Sequence, residues 1–260
     1  MTCEHAEACA GLARDNQEPA MTRLAKPLLL ETPCCQTKVM QRRLASVNTF
    51  GLAKAWSDGY TSVFMVSEAQ RLAYCAGCNS VYWLEDATVL GVIPSSDERA
   101  GRCGGWLARI FGKQSNVGLG EKQTTVDLLD LDFVDYHQYP RPADLLLAVL
   151  REEWTKPERE LYLRTWLWWI GNHRQRGRRT LSPMTDEQAN ENMRRLLALH
   201  QAAPMSDKGI EAIGELLRQL GRFGEAMVAL DDILESNARA AAIHADAARN
   251  ESSVFELEPF

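Results

Sequence analysis

Leu72-Ala73-Tyr74-Cys75-Ala76-Gly77-Cys78-Asn79-Ser80-Val81-Tyr82-Trp83-Leu84 sets a Cys-x-x-Cys between two short runs of strand-forming residues. β-Branched and aromatic side chains favour the pleated, half-buried surface of a sheet. Gly77 lets the backbone fold closely enough for its amides to face the sulfurs. A second pair, Cys34 and Cys35, stands upstream behind Pro33 and the run Leu28-Leu29-Leu30. That run reads as a strand delivering both thiols to a turn. Between the pairs lie Asn48-Thr49-Phe50-Gly51 and Trp56-Ser57-Asp58-Gly59. Asn, Asp and Gly tolerate or supply the positive φ of tight turns.

The stretch from 33 to 86 is therefore a series of short strands with cysteines at the turns. The opening residues include Glu4 and Glu7 with no apolar run behind them, so no secretory leader is expected. No run is long enough for a transmembrane helix. The expected compartment is cytoplasmic, where clustered thiols favour metal or redox chemistry over structural disulfides. Seven cysteines, an odd number, also fit poorly with a closed disulfide framework. The expected ligands of a structural zinc ion are Cys34, Cys35, Cys75 and Cys78, in a zinc-ribbon-like β subdomain. Ribbon knuckles usually place two residues between their cysteines, whereas Cys34 and Cys35 are adjacent. The alternatives are inert thiols in a small β subdomain and a redox pair. A thioredoxin-like motif opens a helix, and here strand-like Val81-Tyr82-Trp83 follows instead.

Ser46, Asn48 to Gly51, Trp56 to Gly59, Cys75, Cys78, Tyr82 and Trp83 resemble a family of uncharacterised bacterial cytoplasmic proteins. Members carry a cysteine knuckle, an S-x-N-T-F-G…W-[ST]-D-G stretch and C-x-x-C-x-x-x-[FY]-W ahead of a tetratricopeptide-like helical region. The resemblance covers about a fifth of the chain well and implies that fold, without a reaction. The family's first knuckle often reads C-P-x-C. Thr32-Pro33-Cys34-Cys35 occupies that frame, so Thr32 stands where a cysteine would be. Cys34 is then a substitute ligand, or the site is three-coordinate or empty.

The expected organisation is a loose arm over 1–26, the β subdomain over 27–93, a linker over 94–125, a helical tetratricopeptide-like domain over 126–250 and an acidic tail over 251–260. The fold class is α+β. In the arm, Cys3, His5 and Cys9 read as part of a solvated terminus. The linker holds Pro94 and a short amphipathic patch, Trp106 to Phe111, that reads as an anchor packing on its own protein. Asp127, Asp130, Asp132 and Asp135 lack EF-hand spacing and read as a solvated face. Pro157 opens a helix through Trp166, Trp168 and Trp169 that is apolar nearly all round, the expected centre of a bundle. Thr185 and Gln188 form a capping box, and Ser206 caps the next helix. Gly221-Arg222-Phe223-Gly224-Glu225-Ala226 resembles the inter-helix turn of a tetratricopeptide repeat.

A formal charge of -6 argues against binding nucleic acid over the whole surface. Arg174, Arg176, Arg178 and Arg179 form a local basic cluster, and the region from Glu225 onward is acidic. The histidines are scattered, and no hydrolase, zincin or dinucleotide motif occurs. An all-cysteine zinc site is coordinatively closed. The expected function is a non-catalytic protein-interaction adaptor with a structural zinc ion and an unidentified protein partner, without membrane attachment. Asn48, Trp56 and Asp58 are its possible binding surface. Nucleic-acid binding and a redox-responsive cysteine switch are the alternatives.

Overall fold

The computed structural model describes residues 23–46, 54–62, 71–93, 134–135, 137–138, 143–153, 156–179, 183–203 and 206–258. Cys3, His5, Cys9, Asn48, the Trp106-to-Phe111 patch, Cys103 and the linker placed at 94–125 lie outside the described residues. The architecture is α+β, with a small β region followed by helices. Two compact units are present, Met1–Asn48 with Arg71–His137 and Thr49–Gln70 with Gln138–Phe260. Residues 49–70 group with the helices rather than with the rest of the 27–93 stretch. The reason is chemical. Ser57 and Asp58 are buried polar residues, and each finds a hydrogen-bond partner on a helix, Glu215 for Ser57 and Asn172 for Asp58.

The first unit holds strands β1 (Arg23–Glu31), β2 (Lys38–Ser46), β5 (Leu72–Tyr74), β6 (Val81–Trp83), β7 (Thr88–Val92) and β8 (Val134–Asp135). The second takes β3 (Lys54–Ala55) and β4 (Thr61–Ser62), and β9 (His137–Gln138) is where the chain passes from one unit to the other. Four strands form a sheet in the order β7-β1-β2-β8. β1 pairs antiparallel with β2 and β7, and β2 pairs parallel with β8. Leu29, Leu30, Val39, Val92 and Ile93 are buried here. Pro27 lies where the β1–β2 register shifts, the kind of irregularity that tolerates a residue with no N–H to donate. Its carbonyl still accepts from Ile93 N at 2.9 Å. β5 and β6 form a separate antiparallel hairpin.

The second unit holds α1 (Ala143–Glu153), α2 (Pro157–Asn172), α3 (Asp186–Ala202), α4 (Asp207–Gln219), α5 (Phe223–Leu230) and α6 (Ala238–Ala248). Each helix packs on the next, and α4 also packs on α6. Their starts follow the local chemistry. Pro157 sits in the first turn of α2, Thr185 and Gln188 cap α3 reciprocally, and Ser206 and Asn237 accept from the first turns of α4 and α6. Leu163, Leu167 and Trp168 of α2, Leu196 and Leu197 of α3, and Ile213, Leu216 and Leu217 of α4 are buried. Gly221, at φ +75°, takes the left-handed turn between α4 and α5.

The acidic tail, whose composition leads one to expect a loose, solvated segment, is instead built into this unit. Ser57 N donates to Phe255 O at 2.9 Å and Leu257 N to Ala55 O at 2.8 Å, so 255–257 runs antiparallel beside the 55–57 segment. Val254 and Leu257 are buried. Acidic composition suggested solvation, but this short stretch carries apolar residues that the unit covers and backbone groups that it pairs.

Close helix crossing at Gly214 is a point of fragility. A Cβ there would lie 2.5 Å from Leu230 Cγ and Cδ2, and Leu230 is fully buried. Gly214→Ala is expected to lower stability by about 1–3 kcal/mol through overpacking. This outweighs the roughly 0.5–1 kcal/mol that Ala gains in helix propensity. The urea unfolding midpoint measures it.

Candidate metal centre

Two turns in the first unit have the same backbone design. Between β1 and β2, Thr32 N donates to Thr37 O and Gln36 N to Thr32 O, each at 3.0 Å. Between β5 and β6, Cys75 N donates to Ser80 O and Asn79 N to Cys75 O, each at 2.8 Å. Gln36 and Asn79, at φ 60° and 59°, close the two turns in the left-handed region. Asn adopts this conformation readily, and Gln does so at some steric cost. Thr32 therefore matches Cys75, Cys34 matches Gly77, and Cys35 matches Cys78. Thr32 and Cys75 are buried, whereas Cys35 and Cys78 are exposed.

The two turns bring the sulfurs of Cys34, Cys35, Cys75 and Cys78 within 4.8 Å of one another, a set that can hold a metal ion. Cys35 Sγ is 3.2 Å from Cys75 Sγ, and Cys34 Sγ is 3.4 Å from Cys78 Sγ. Two threonine hydroxyls border the cluster. Thr32 Oγ1 lies 3.5 Å from Cys75 Sγ and 3.8 Å from Cys35 Sγ, and Thr37 Oγ1 lies 3.0 Å from Cys35 Sγ. Gly77 makes room for this border. A Cβ at 77 would collide with Thr37 Oγ1 and lie 3.0 Å from Cys35 Sγ.

The thiols are electrostatically unequal. Burial pushes Cys75 up, but hydrogen bonds with Thr32, with the Cys78 backbone and with the other thiols outweigh it and bring its pKa down to about 6. Cys34 is pushed up to about 12, by burial and by its bonds to Cys75 and Cys78. Hydrogen bonds with Ser80 lower Cys78. In a cluster this tight the first thiolates form at the best-solvated or best-bonded sulfurs, and the last proton is hard to remove.

Of the possible binding surface, Asn48 lies outside the described residues. Trp56 and Asp58 belong to the second unit. Asp58 braces its own turn by accepting from Tyr60 N at 3.2 Å. Its carboxylate also accepts from Asn172 Nδ2 at 2.7 Å and from Arg176. The Asp58 and Arg176 side chains have 0% exposure, so the protein's own donors hold this carboxylate. The Arg176 guanidinium lies over Tyr60 at 4.5 Å and Trp56 at 5.4 Å, and donates to Trp169 O at 2.8 Å and His173 Nδ1 at 3.0 Å. Arg178 donates to Tyr60 Oη at 2.6 Å and Ser62 Oγ at 2.5 Å. Two of the four basic-cluster arginines are thus engaged internally.

A second buried set was not expected from the sequence. Glu215 and Arg218 of α4 have 0% exposure. Glu215 accepts from Arg218, from Ser57 Oγ at 2.7 Å and from Gln219 at 2.7 Å. Burial pushes its carboxyl up, and these donors pull it back. Arg218 also donates to Glu251 O at 2.5 Å and Ser253 O at 3.0 Å, which fixes the tail.

Asp58→Ala would strand the Arg176 charge in the interior. A loss of about 3–5 kcal/mol is expected, read from denaturant unfolding, with Asn172→Ala costing less because it leaves the ion pair intact. His173 gives a pH signature. Burial, then the Arg176 and Arg178 charges, lowers it from 6.5 to about 4. A folded value below the unfolded one means that the unfolded chain takes up the proton first as pH falls. This contribution to stability is complete above 6.5 and is lost as pH falls toward 4. His173→Gln is expected to shrink the drop in urea midpoint between about pH 7 and about pH 5.

No family model, curated protein or solved structure matches this chain.

Proposed function

We propose that this protein is a non-catalytic interaction adaptor, with Cys34, Cys35, Cys75 and Cys78 holding a structural zinc ion and the helical unit binding a protein partner. The observation that carries the reading is the four-sulfur cluster. A tetrahedral zinc ion with Zn–S bonds of about 2.3 Å needs sulfurs about 3.8 Å apart. Contacts of 3.2 and 3.4 Å within a 4.8 Å limit bracket that spacing. Four thiolates saturate zinc, so bound metal would supply a cross-link between two hairpin turns and no open position for a substrate. The same residues support kinship with the bacterial family whose cysteine segment precedes a tetratricopeptide-like region.

For the partner, the favoured surface is a cavity of about 470 Å³ in the helical unit, lined among others by Thr165, Trp169, His200, Lys208, Glu211 and Arg239. Its mixture of aromatic and charged walls suits a polypeptide segment better than a small apolar ligand. Nucleic-acid binding is disfavoured by the net charge of -6 and by the burial of the Arg176 side chain against Asp58. A redox switch is the second reading. The Cys35–Cys75 and Cys34–Cys78 contacts could each close a disulfide, with two electrons and two protons passing to an oxidant.

Purified under reducing conditions, the protein is expected to carry one zinc per chain, and Cys75→Ser to carry none and unfold at lower temperature. Capture of one protein partner should resist added salt and be lost in Lys208→Glu while zinc is retained. Zinc-free wild type whose thiols pair reversibly, with mass falling by two hydrogens per bond, would favour the switch. Binding to nucleic acid that collapses with salt would favour the other alternative.

A further inference from the structure

The matching of the two turns assigns the cysteines unequal roles. Resting on the zinc reading above, we propose that Thr32 occupies a ligand position of the repeated turn without supplying a thiol. Cys35, Cys75 and Cys78 are then the frame-held ligands, and Cys34 is an exchangeable fourth.

Thr32–Thr37 and Cys75–Ser80 share two equivalent hydrogen bonds and a left-handed residue at the same place. In the second turn the thiols stand at the first and fourth positions, Cys75 and Cys78. In the first turn the fourth position is Cys35, but the first is Thr32. Like Cys75, Thr32 is buried, and its hydroxyl lies against Cys75 Sγ and Cys35 Sγ. The side chain therefore points into the cluster as its counterpart does. A neutral hydroxyl is a poor ligand for zinc beside thiolates, and a good hydrogen-bond donor to them.

Cys34 comes from the third position, matched in the other hairpin by Gly77, which contributes no side chain. It is exposed, and its sulfur meets that of Cys78 at 3.4 Å. Cys35 and Cys78 are exposed as well, so what sets Cys34 apart is its place in the turn: a ligand from this off-frame position lacks the geometric match that the repeated turn gives the other three. Its departure would leave three thiolates and one open position, while the Thr32 hydroxyl continues to support Cys75. The centre is thereby a zinc cross-link with a built-in point of opening.

The test is a set of variants of the full chain, read by zinc affinity in chelator competition and by the thiolate-to-metal absorption of bound cobalt(II). Cys34→Ala is expected to keep one metal per chain at weakened affinity. It should lose about a quarter of the cobalt absorption, one thiolate in four. Cys75→Ala is expected to lose the metal. Thr32→Cys combined with Cys34→Ala should restore the full absorption and bind zinc at least as tightly as wild type. Thr32→Val, which keeps shape without the hydroxyl, should weaken zinc by roughly 10-fold. Equal loss of metal in Cys34→Ala and Cys75→Ala, or failure of the double variant to restore it, would overturn the assignment while leaving zinc binding intact. Wild type that takes up no zinc would overturn both.

Discussion

Four sulfurs within reach of one ion are a severe constraint on a chain. Cys35 and Cys75 are 40 residues apart, and their thiols approach to 3.2 Å. Nothing in thiol chemistry favours such crowding without a reason, because like groups of this kind resist simultaneous ionisation. The crowding becomes favourable when a cation or a covalent bond joins the sulfurs. It also fixes what surrounds it. Both turns must place a left-handed residue at the same position, Gly77 must lack a side chain, and threonine hydroxyls must border the sulfurs. The β1–β2 and β5–β6 hairpins thus depend on a common point.

The second unit rests on a different constraint, the matching of buried charge. Arg176 with Asp58 and Arg218 with Glu215 are shielded from water. Pairs of this kind add little net stability over apolar residues, but they punish any arrangement that separates them. Here each pair draws in an irregular segment. Asp58 ties the 56–60 turn to α2, while Arg218 ties the tail to α4. Specific partners position these segments, where an apolar surface alone would accept several registers.

Much of the architecture was legible in the sequence. The strand residues around Cys75 and Cys78, the caps at Thr185 and Ser206, and the apolar α2 all announce themselves by local pattern. So does the candidate site, because four cysteines at two turns are few enough to connect. The buried charges were hidden for a physical reason. On α4 the apolar side chains Ile213, Leu216 and Leu217 mark the core face, and Glu215 and Arg218 stand on the other. Such a face ordinarily reads as solvated. It is covered here by segments distant in sequence, whose approach no local period can reveal. The arginine cluster misled in the same way. Charge composition says that guanidinium groups are present, and only tertiary structure says what they touch. The match between Thr32 and Cys75 was visible as a frame, but its hydroxyl against two thiols required coordinates.

The antiparallel pairing of 255–257 with the 55–57 segment bears on the order of events during synthesis. The 55–57 segment leaves the ribosome before any of the six described α-helices, and 255–257 leaves after all of them. The helical unit therefore cannot complete its hydrogen bonding in step with translation. Ser57 and Arg218 must wait, one for Phe255 and the other for Glu251 and Ser253. The β1–β2 and β5–β6 turns, by contrast, are both available once residue 83 has emerged. The thiol cluster can form early while the helices are still being made, and the helical unit waits for 251–257 to complete its hydrogen bonds.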